Sequence, residues 1–249
     1  MKRHRRFLEV GVVLCFALLN DRVLANPVGE SVRAGMARFD RSAPGLLSIH
    51  QGSDKLIVNW RDFSIAAGET TRFLQPSATA VALNRVMVGN PSRIYGSLEA
   101  NGIVYLINPN GILVGPGGAI NTRTFVGSTL DISDANFLSG ARLTLSGDST
   151  ASVVNQGTIE ALGGDVYLIA RTVENSGTLR ANAGTVGLAA GSEVTIVPAG
   201  NERLTVIAGN PSGPQADKGV NNAGTIEAVS AELKAAGGNI YALDRKSVV

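Results

Sequence analysis

Beyond residue 25 the chain holds one histidine, His50, and no cysteine; His4 and Cys15 both fall in the first 25 residues. Those two facts decide most of the chemistry open to it. A thiol nucleophile, a Cys/His zinc site and a multi-histidine metal site are all excluded there. A Ser-His-acid triad would have to use His50, which lies in "LLSIHQG", an ordinary strand pattern, and reads as a half-buried or surface residue. Neither GxSxG nor GxxxxGK[ST] occurs. "GPGG" (115–118) runs into "AINTRTFVG", which looks like a strand and not the helix that a phosphate cradle opens. A glycoside hydrolase needs two acids converging on one face. Asp131 and Asp134 are close in sequence, but a helix-capping role explains Asp134 as well. The other carboxylates are scattered singly, with no acid cluster of the kind a calcium-dependent lyase uses. The reading is a protein that is not an enzyme and needs no metal or cofactor.

Residues 1–25 form a separate object. "MKRHRR" is basic, "VGVVLCFALL" is apolar over a suitable length, and "VLA" ends on a small residue. This is the pattern of a secretory signal peptide, with cleavage expected between Ala25 and Asn26. The segment carries five of the 22 basic residues and two of the 20 acidic ones, which leaves 17 against 18 and a net charge of −1. The basic character belongs to the leader, so nothing points to nucleic acid. An exported chain without cysteine must be held by its core and its backbone pairing alone.

What elements would such a chain build? Strand-like runs, "LLSIHQ", "KLIVNW" and "TAVALNRVMV", are separated by turn residues, and no sustained helical period occurs before residue 130. Internal repetition is the strongest signal. "GSLEANGIVYL" (96–106), "GTIEALGGDVYL" (157–168), "GTLRANAGTVGL" (177–188) and "GTIEA" (224–228) with "GNIYAL" (238–243) align. Asn155, Asn175 and Asn222 precede the last three, the first two 20 residues apart. The step of 47 to Asn222 reads as two units plus an insert at "GNPSGPQADKG" (209–219).

The period of two places Ile159/Ala161, Leu179/Ala181 and Ile226/Ala228 on one face, and Val104/Leu106, Val166/Leu168, Val186/Leu188 and Ile240/Ala242 likewise. Between them stand Tyr105, Tyr167, Gly187 and Tyr241. A position that takes Tyr in one unit and Gly in another reads as outward and loosely packed. One unit cannot bury its inner face, whereas stacked units can. The predicted fold is all-β: a right-handed parallel β-helix, a single-stranded solenoid of the pectin-lyase type, with an N-terminal cap and small extra strands. Each coil advances about 4.8 Å. Asn155, Asn175 and Asn222 are expected to form a hydrogen-bonded ladder at one corner. "STLDISDANFLSG" (128–140) is the best helix candidate, with Ser133 or Asp134 as cap, Phe137 and Leu138 as apolar side and Gly140 as stop.

The stretch "INPNGILVG" (107–115) interrupts two apolar runs with Asn108-Pro109-Asn110-Gly111. Pro109 suits the second position of a β-turn, Asn110 the third and Gly111 the fourth. Local chemistry says no more than a turn. The wider stretch "LNRVMVGNPSRIYGSLEANGIVYLINPNGILVG" (83–115) resembles the N-terminal secretion domain of filamentous-haemagglutinin-type exoproteins, the two-partner secretion family. Asn108, Pro109, Asn110, Gly111 and Ile112 match that family's NPNGI motif at every position. The family's NPNL motif is absent as such, and Asn90-Pro91 shares only its first two residues. The resemblance covers roughly 27–140.

The resemblance implies a division into a signal peptide (1–25), a secretion domain (26–140) and further coils of a shaft (141–249). It also implies a partner, an outer-membrane β-barrel transporter with periplasmic POTRA domains, which would read Asn108–Ile112 with Asn90 and Pro91. The chain would pass the periplasm of a Gram-negative bacterium and fold outside as a β-helix, secreted or surface-held. Adhesion or haemagglutination would follow, through a surface ligand the sequence does not name. The mature chain is expected to be a monomer with no membrane insertion. The tail "DRKSVV" continues no unit and reads as the end of a truncated shaft. The competing reading is a self-contained extracellular module that binds a carbohydrate or a surface, with Tyr105, Tyr167 and Tyr241 as its contact stripe.

Overall fold

Two short strands close the N-terminal end. The computed structural model describes residues 26–140, 143–197, 203–207, 219–236 and 239–242. β1 (Ser31–Ala34) and β2 (Ala37–Asp40) pair antiparallel with the first coil, β4 (Lys55–Trp60) and β3 (Leu46–Gln51) respectively. Gly35 between them sits at φ 82, and a Cβ there would lie 2.3 Å from the Lys55 carbonyl oxygen. The cap thus needs glycine at that turn. Phe39 and Phe63 pack edge-to-face on Trp60, plugging the end of the interior.

From there the chain winds in parallel coils. β5 (Thr70–Leu74) and β6 (Val81–Val86) form the second. β7 (Ser92–Ile94), β8 (Ser97–Ala100) and β9 (Ile103–Ile107) form the third, and β10 (Ile112–Val114), β11 (Ala119–Thr122) and β12 (Thr124–Ser128) the fourth. After an excursion through α1 (Asp134–Ser139) and β13 (Leu143–Ser146) come β14 (Ser152–Asn155), β15 (Thr158–Ala161) and β16 (Val166–Ala170). β17 (Thr172–Asn175) and the long β18 (Thr178–Ala190) follow, then a second excursion, β19 (Glu193–Ile196) and β20 (Leu204–Ile207). β21 (Val220–Asn222), β22 (Thr225–Ala235) and β23 (Ile240–Ala242) end the described chain.

Three parallel stacks result, so the molecule is a parallel β-helix. One runs β7-β10-β14-β17-β21-β23. The second joins β3, β5, β8, β11, β15, β18 and β22, and the third β4, β6, β9, β12, β16, β18 and β22. Pairing is residue for residue: Ile159↔Leu179↔Ile226 and Val166↔Val186. The predicted inward positions Ile159, Ala161, Leu179, Ala181, Val104, Leu106, Val166, Leu168, Val186 and Leu188 all lie in one buried interior cluster.

Four expectations need correction. The 47-residue step is one coil, because β17 pairs directly with β21 and β18 with β22; the excess is the β19–β20 excursion. Of the assumed insert at 209–219, all but Gly219 lies outside the described residues. "GNIYAL" is not the partner of the "DVYL" run: Ala231 in β22 takes that place opposite Val186, while Ile240 pairs with Val220 one coil on. Ile240 and Tyr241 are exposed there, with no further described coil over them. Strand β6 stops at Val86, leaving Met87 and Val88 exposed.

The fourth concerns the tyrosines. Tyr105 and Tyr167 point outward from the third stack, as their alternation demands, yet only 5% and 2% of their surfaces are exposed. They belong to a second buried cluster outside the coils, with Ile57, Leu83, Phe137, Leu145, Val194 and Leu204. The helix and the three-stranded sheet β13-β19-β20 lie over them. Gly follows Tyr in this row because the two share one space: the Tyr167 ring leans over its register partner Gly187, where a Cβ would come within 2.6 Å of it. The helix itself forms as read. Ser133 accepts the Asn136 amide, and Gly140 ends it at φ 69. Phe137 packs edge-to-face on Tyr105, but Leu138 faces solvent.

Candidate functional site

The Asn108-Pro109-Asn110-Gly111 segment is a corner between the third stack and the first. The Gly111 amide donates to the Asn108 carbonyl at 3.0 Å, closing a β-turn with Pro109 and Asn110 at its centre. Gly111 has φ 112, and a Cβ there would lie 3.3 Å from the Ser152 carbonyl of the next coil. Glycine meets both demands.

Asn108 organises the corner from inside. Its side chain is fully buried. Oδ1 accepts the Asn110 amide at 2.9 Å, while Nδ2 donates to the Asn90 carbonyl at 2.9 Å and to Ser92 Oγ at 3.0 Å. The Ser92 amide donates to the Gly111 carbonyl. Residues 90–92, one coil earlier, are therefore tied directly to the corner, with Pro91 Cβ 3.8 Å from where a Gly111 Cβ would stand. Asn110 Nδ2 donates to the Val88 carbonyl at 3.0 Å, and Ser149 Oγ from the following coil donates to the Pro109 carbonyl at 2.6 Å. Ile112 is buried in the interior cluster.

The seven predicted motif residues thus come together but divide in two. Asn108, Gly111 and Ile112 are buried and hold the corner; Pro109, Asn110 and Asn90 are exposed, and Pro91 is half-buried. Asn110 reaches the backbone of Val88, and the side chains of Val88 and its neighbour Met87 are 46% and 59% exposed. Sequence reasoning missed these two, because they prolong a strand-like run, and missed Ser92 and Ser149, which carry no motif signal.

At the other end of the first stack, Asn155 Nδ2 donates to Asn175 Oδ1 at 2.8 Å and Asn175 Nδ2 to Asn222 Oδ1 at 2.6 Å. Each is the last residue of its strand, and all three are buried. Asn155 Oδ1 also accepts the Gly157 amide. The row satisfies interior amides with one another along the axis, as buried polar groups require.

The two acids weighed for catalysis are otherwise engaged. Asp131 and Asp134 both hold Arg85, at 2.8 and 3.0 Å. Burial opposes the Arg85 charge, but the two carboxylates outweigh it and raise its pKa. His50 is half-buried on β3 opposite Arg38. Among the described residues no three His, Cys, Asp or Glu side chains gather, and no helix is long and apolar enough to cross a membrane. Ala25 lies outside the described residues; Asn26 Oδ1 accepts Thr71 Oγ1 at 3.0 Å.

A capped β-helix with an outer cover and an NPNGI corner defines an exoprotein-type domain. The sequence profile of the TPS secretion domain matches residues 41–246, and the chain belongs to that two-partner secretion family. The match continues through the coils beyond residue 140, as do the sheets. The HMW1 secretion domain from Haemophilus influenzae superposes with a TM-score of 0.72 at 32% identity, over 84% of this chain and 57% of that one. The filamentous hemagglutinin secretion domain shares the fold, with a TM-score of 0.65 at 17% identity, over 87% of this chain and 82% of that one. In sequence the chain is similar to a heme/hemopexin-binding protein of Haemophilus influenzae, 41% identical over 98 residues. That match covers 39% of this chain but only 11% of the relative; for the protein of the same description from strain KW20 the figures are 39% identity over 106 residues, 43% and 12%.

Proposed function

We propose that this chain delivers an exoprotein to its outer-membrane transporter, a β-barrel with periplasmic POTRA domains, and then nucleates β-helix folding at the cell surface. The observation that carries the reading is the secretion-domain match over residues 41–246 around a corner whose motif has a buried and an exposed half. The buried half fixes the turn. The exposed half, Pro109 and Asn110 with Asn90 and the nearby Met87–Val88, is what a partner can touch once the local Asn108–Gly111 turn has formed, which does not require the stacked coils. Residues 1–25 act as the signal peptide, with cleavage after Ala25, so the chain reaches the transporter from the periplasm. Residues 26–140 are the segment addressed to the transporter, and 141–249 extend the stack. The secreted product serves adhesion, is a monomer and performs no catalysis. The self-contained binding module loses support, because Tyr105 and Tyr167 are buried and Tyr241 lies in a different stack.

Reporter fusions test this. Residues 1–249 fused to a small unfolded reporter should reach the medium or cell surface only in cells that carry the cognate barrel. Export that is equal without the barrel overturns the assignment.

A further inference from the structure

The outer face of the third stack is apolar and depends on its cover. Leu83, Tyr105, Val126, Tyr167 and Ile169 point away from the interior yet are buried. The two excursions that cover them are not independent. β13 pairs antiparallel with β19, from Leu143↔Ile196 to Ser146↔Glu193, and β19 pairs with β20. Thr144 and Thr195 join their hydroxyls across that seam at 2.9 Å. The cover is one sheet built from two distant pieces of chain.

Side chains of the coils pin it at both ends. On the first piece, Arg85 of β6 holds Asp131, Asp134 and the Ile132 carbonyl, and Lys55 of β4 donates to the carbonyls of Phe137 and Leu138. These anchors precede the piece they hold. On the second piece Asp165 binds the Arg203 guanidinium at 2.7 Å, and it too comes earlier in the chain. The remaining anchors come later. Glu232 accepts the backbone amides of Arg203 and Leu204 at 2.6 and 3.1 Å, and Lys234 donates to the Leu204 carbonyl at 2.6 Å. Lys234 and Glu232 are themselves 3.3 Å apart. They alternate on β22 opposite Gly187 and Ala189, while Leu233 between them packs on the interior cluster. Two side chains thus take both backbone groups of Leu204, as a neighbouring strand would. They hold Leu204 over Gly187, where an added Cβ would lie 2.5 Å from Leu204 Cδ1.

We propose that Glu232 and Lys234 are a latch that closes the outer cover last, so that the folding unit of this domain extends through Ala235 and the β19–β20 hairpin opens separately from the coils when the latch is removed. In a chain that emerges N-terminus first, every other anchor is in place before the latch exists. That order in time rests on the proposed export; the separate opening of the hairpin does not.

The test is Glu232→Gln with Lys234→Met, which removes the charges at nearly constant size, in the full purified chain. Amide exchange within 193–196 and 204–207 should speed up roughly tenfold or more, since local opening sets that rate, while β14 to β17 stay unchanged. An apolar-surface dye should bind the variant and not the parent. Glu227→Gln is the control: it lies on the same strand but pairs with Arg180 at 3.0 Å, outside the cover. Hairpin exchange that is unchanged in the double variant, that rises equally in the coils, or that rises equally in the control overturns the latch. Lys234→Met alone should give a smaller rise in the same hairpin. Failure of both variants to form the coils contradicts closure as a separate last step.

Discussion

Replacing Asn108 by alanine should cost far more stability than replacing Asn110, though both belong to one motif. Asn108 loses its bonds to the Asn90 carbonyl, Ser92 Oγ, the Asn110 amide and Asn110 Nδ2. A net hydrogen bond contributes about 1 kcal/mol, and a stranded buried partner costs about 1–3 kcal/mol. Ser92 is fully buried and would be stranded; the exposed Asn90 and Asn110 can turn to water. The expected loss is about 2–4 kcal/mol. With a urea dependence of about 3 kcal/mol per molar, the midpoint should fall by about 1 M. Asn110→Ala loses Nδ2 bonds to Val88 and Asn108 at an exposed side chain, and should cost less than about 1 kcal/mol. Urea unfolding followed by circular dichroism measures both. If Asn110→Ala proves as costly as Asn108→Ala, the division into a buried and a displayed half is wrong.

Asn175→Ala removes the middle of the amide row and should lower stability by about 2–3 kcal/mol, against less than about 0.5 kcal/mol for Asn221→Ala on the outward side, both read from urea midpoints. Gly187→Ala should cost about 1–3 kcal/mol through overpacking against Leu204 and Tyr167, with increased amide exchange in β20 as its signature. Burial, reinforced by the Asp165 charge, raises the phenol pKa values of Tyr105 and Tyr167 above the ordinary range. An unfolded tyrosine ionises near pH 10, so above that pH the unfolded chain sheds protons that the native state keeps, and stability falls. The two groups together contribute at most about 2.7 kcal/mol per pH unit, approached only above about pH 11, and melting curves on either side of about pH 10 should show stability falling.

The coils were legible because their signal is local. Alternation in "LLSIHQ", "KLIVNW" and "GTIEA" fixes which residues face inward, and one-to-one stacking preserves that facing from coil to coil. The NPNG turn was legible for the same reason, since Pro109 suits its second position and Gly111 its fourth, and the Gly111 amide closes it on Asn108. The cover was not. Its pairing joins β13 to β19 across about fifty residues, and nothing in either run names its partner. The Tyr/Gly pattern placed these residues on the outer face, as observed, but wrongly suggested loose packing there, because Gly187 makes room for a ring from the coil before it and a side chain from the hairpin after it. "GNIYAL" was misplaced because one short apolar run looks much like another, and only the register of β22 on β18 assigns it. At the corner, the motif was visible in sequence, whereas its division into buried and exposed residues follows from Ser92 and Asn90 lying one coil away.

The central claim is that the outward half of the corner is what the transporter reads. The measurement is the secreted fraction of the Pro109→Ala/Asn110→Ala chain in cells carrying the cognate barrel, beside its melting curve. The account predicts secretion reduced at least tenfold with melting little changed. Secretion at the parental level from that folded variant would contradict it.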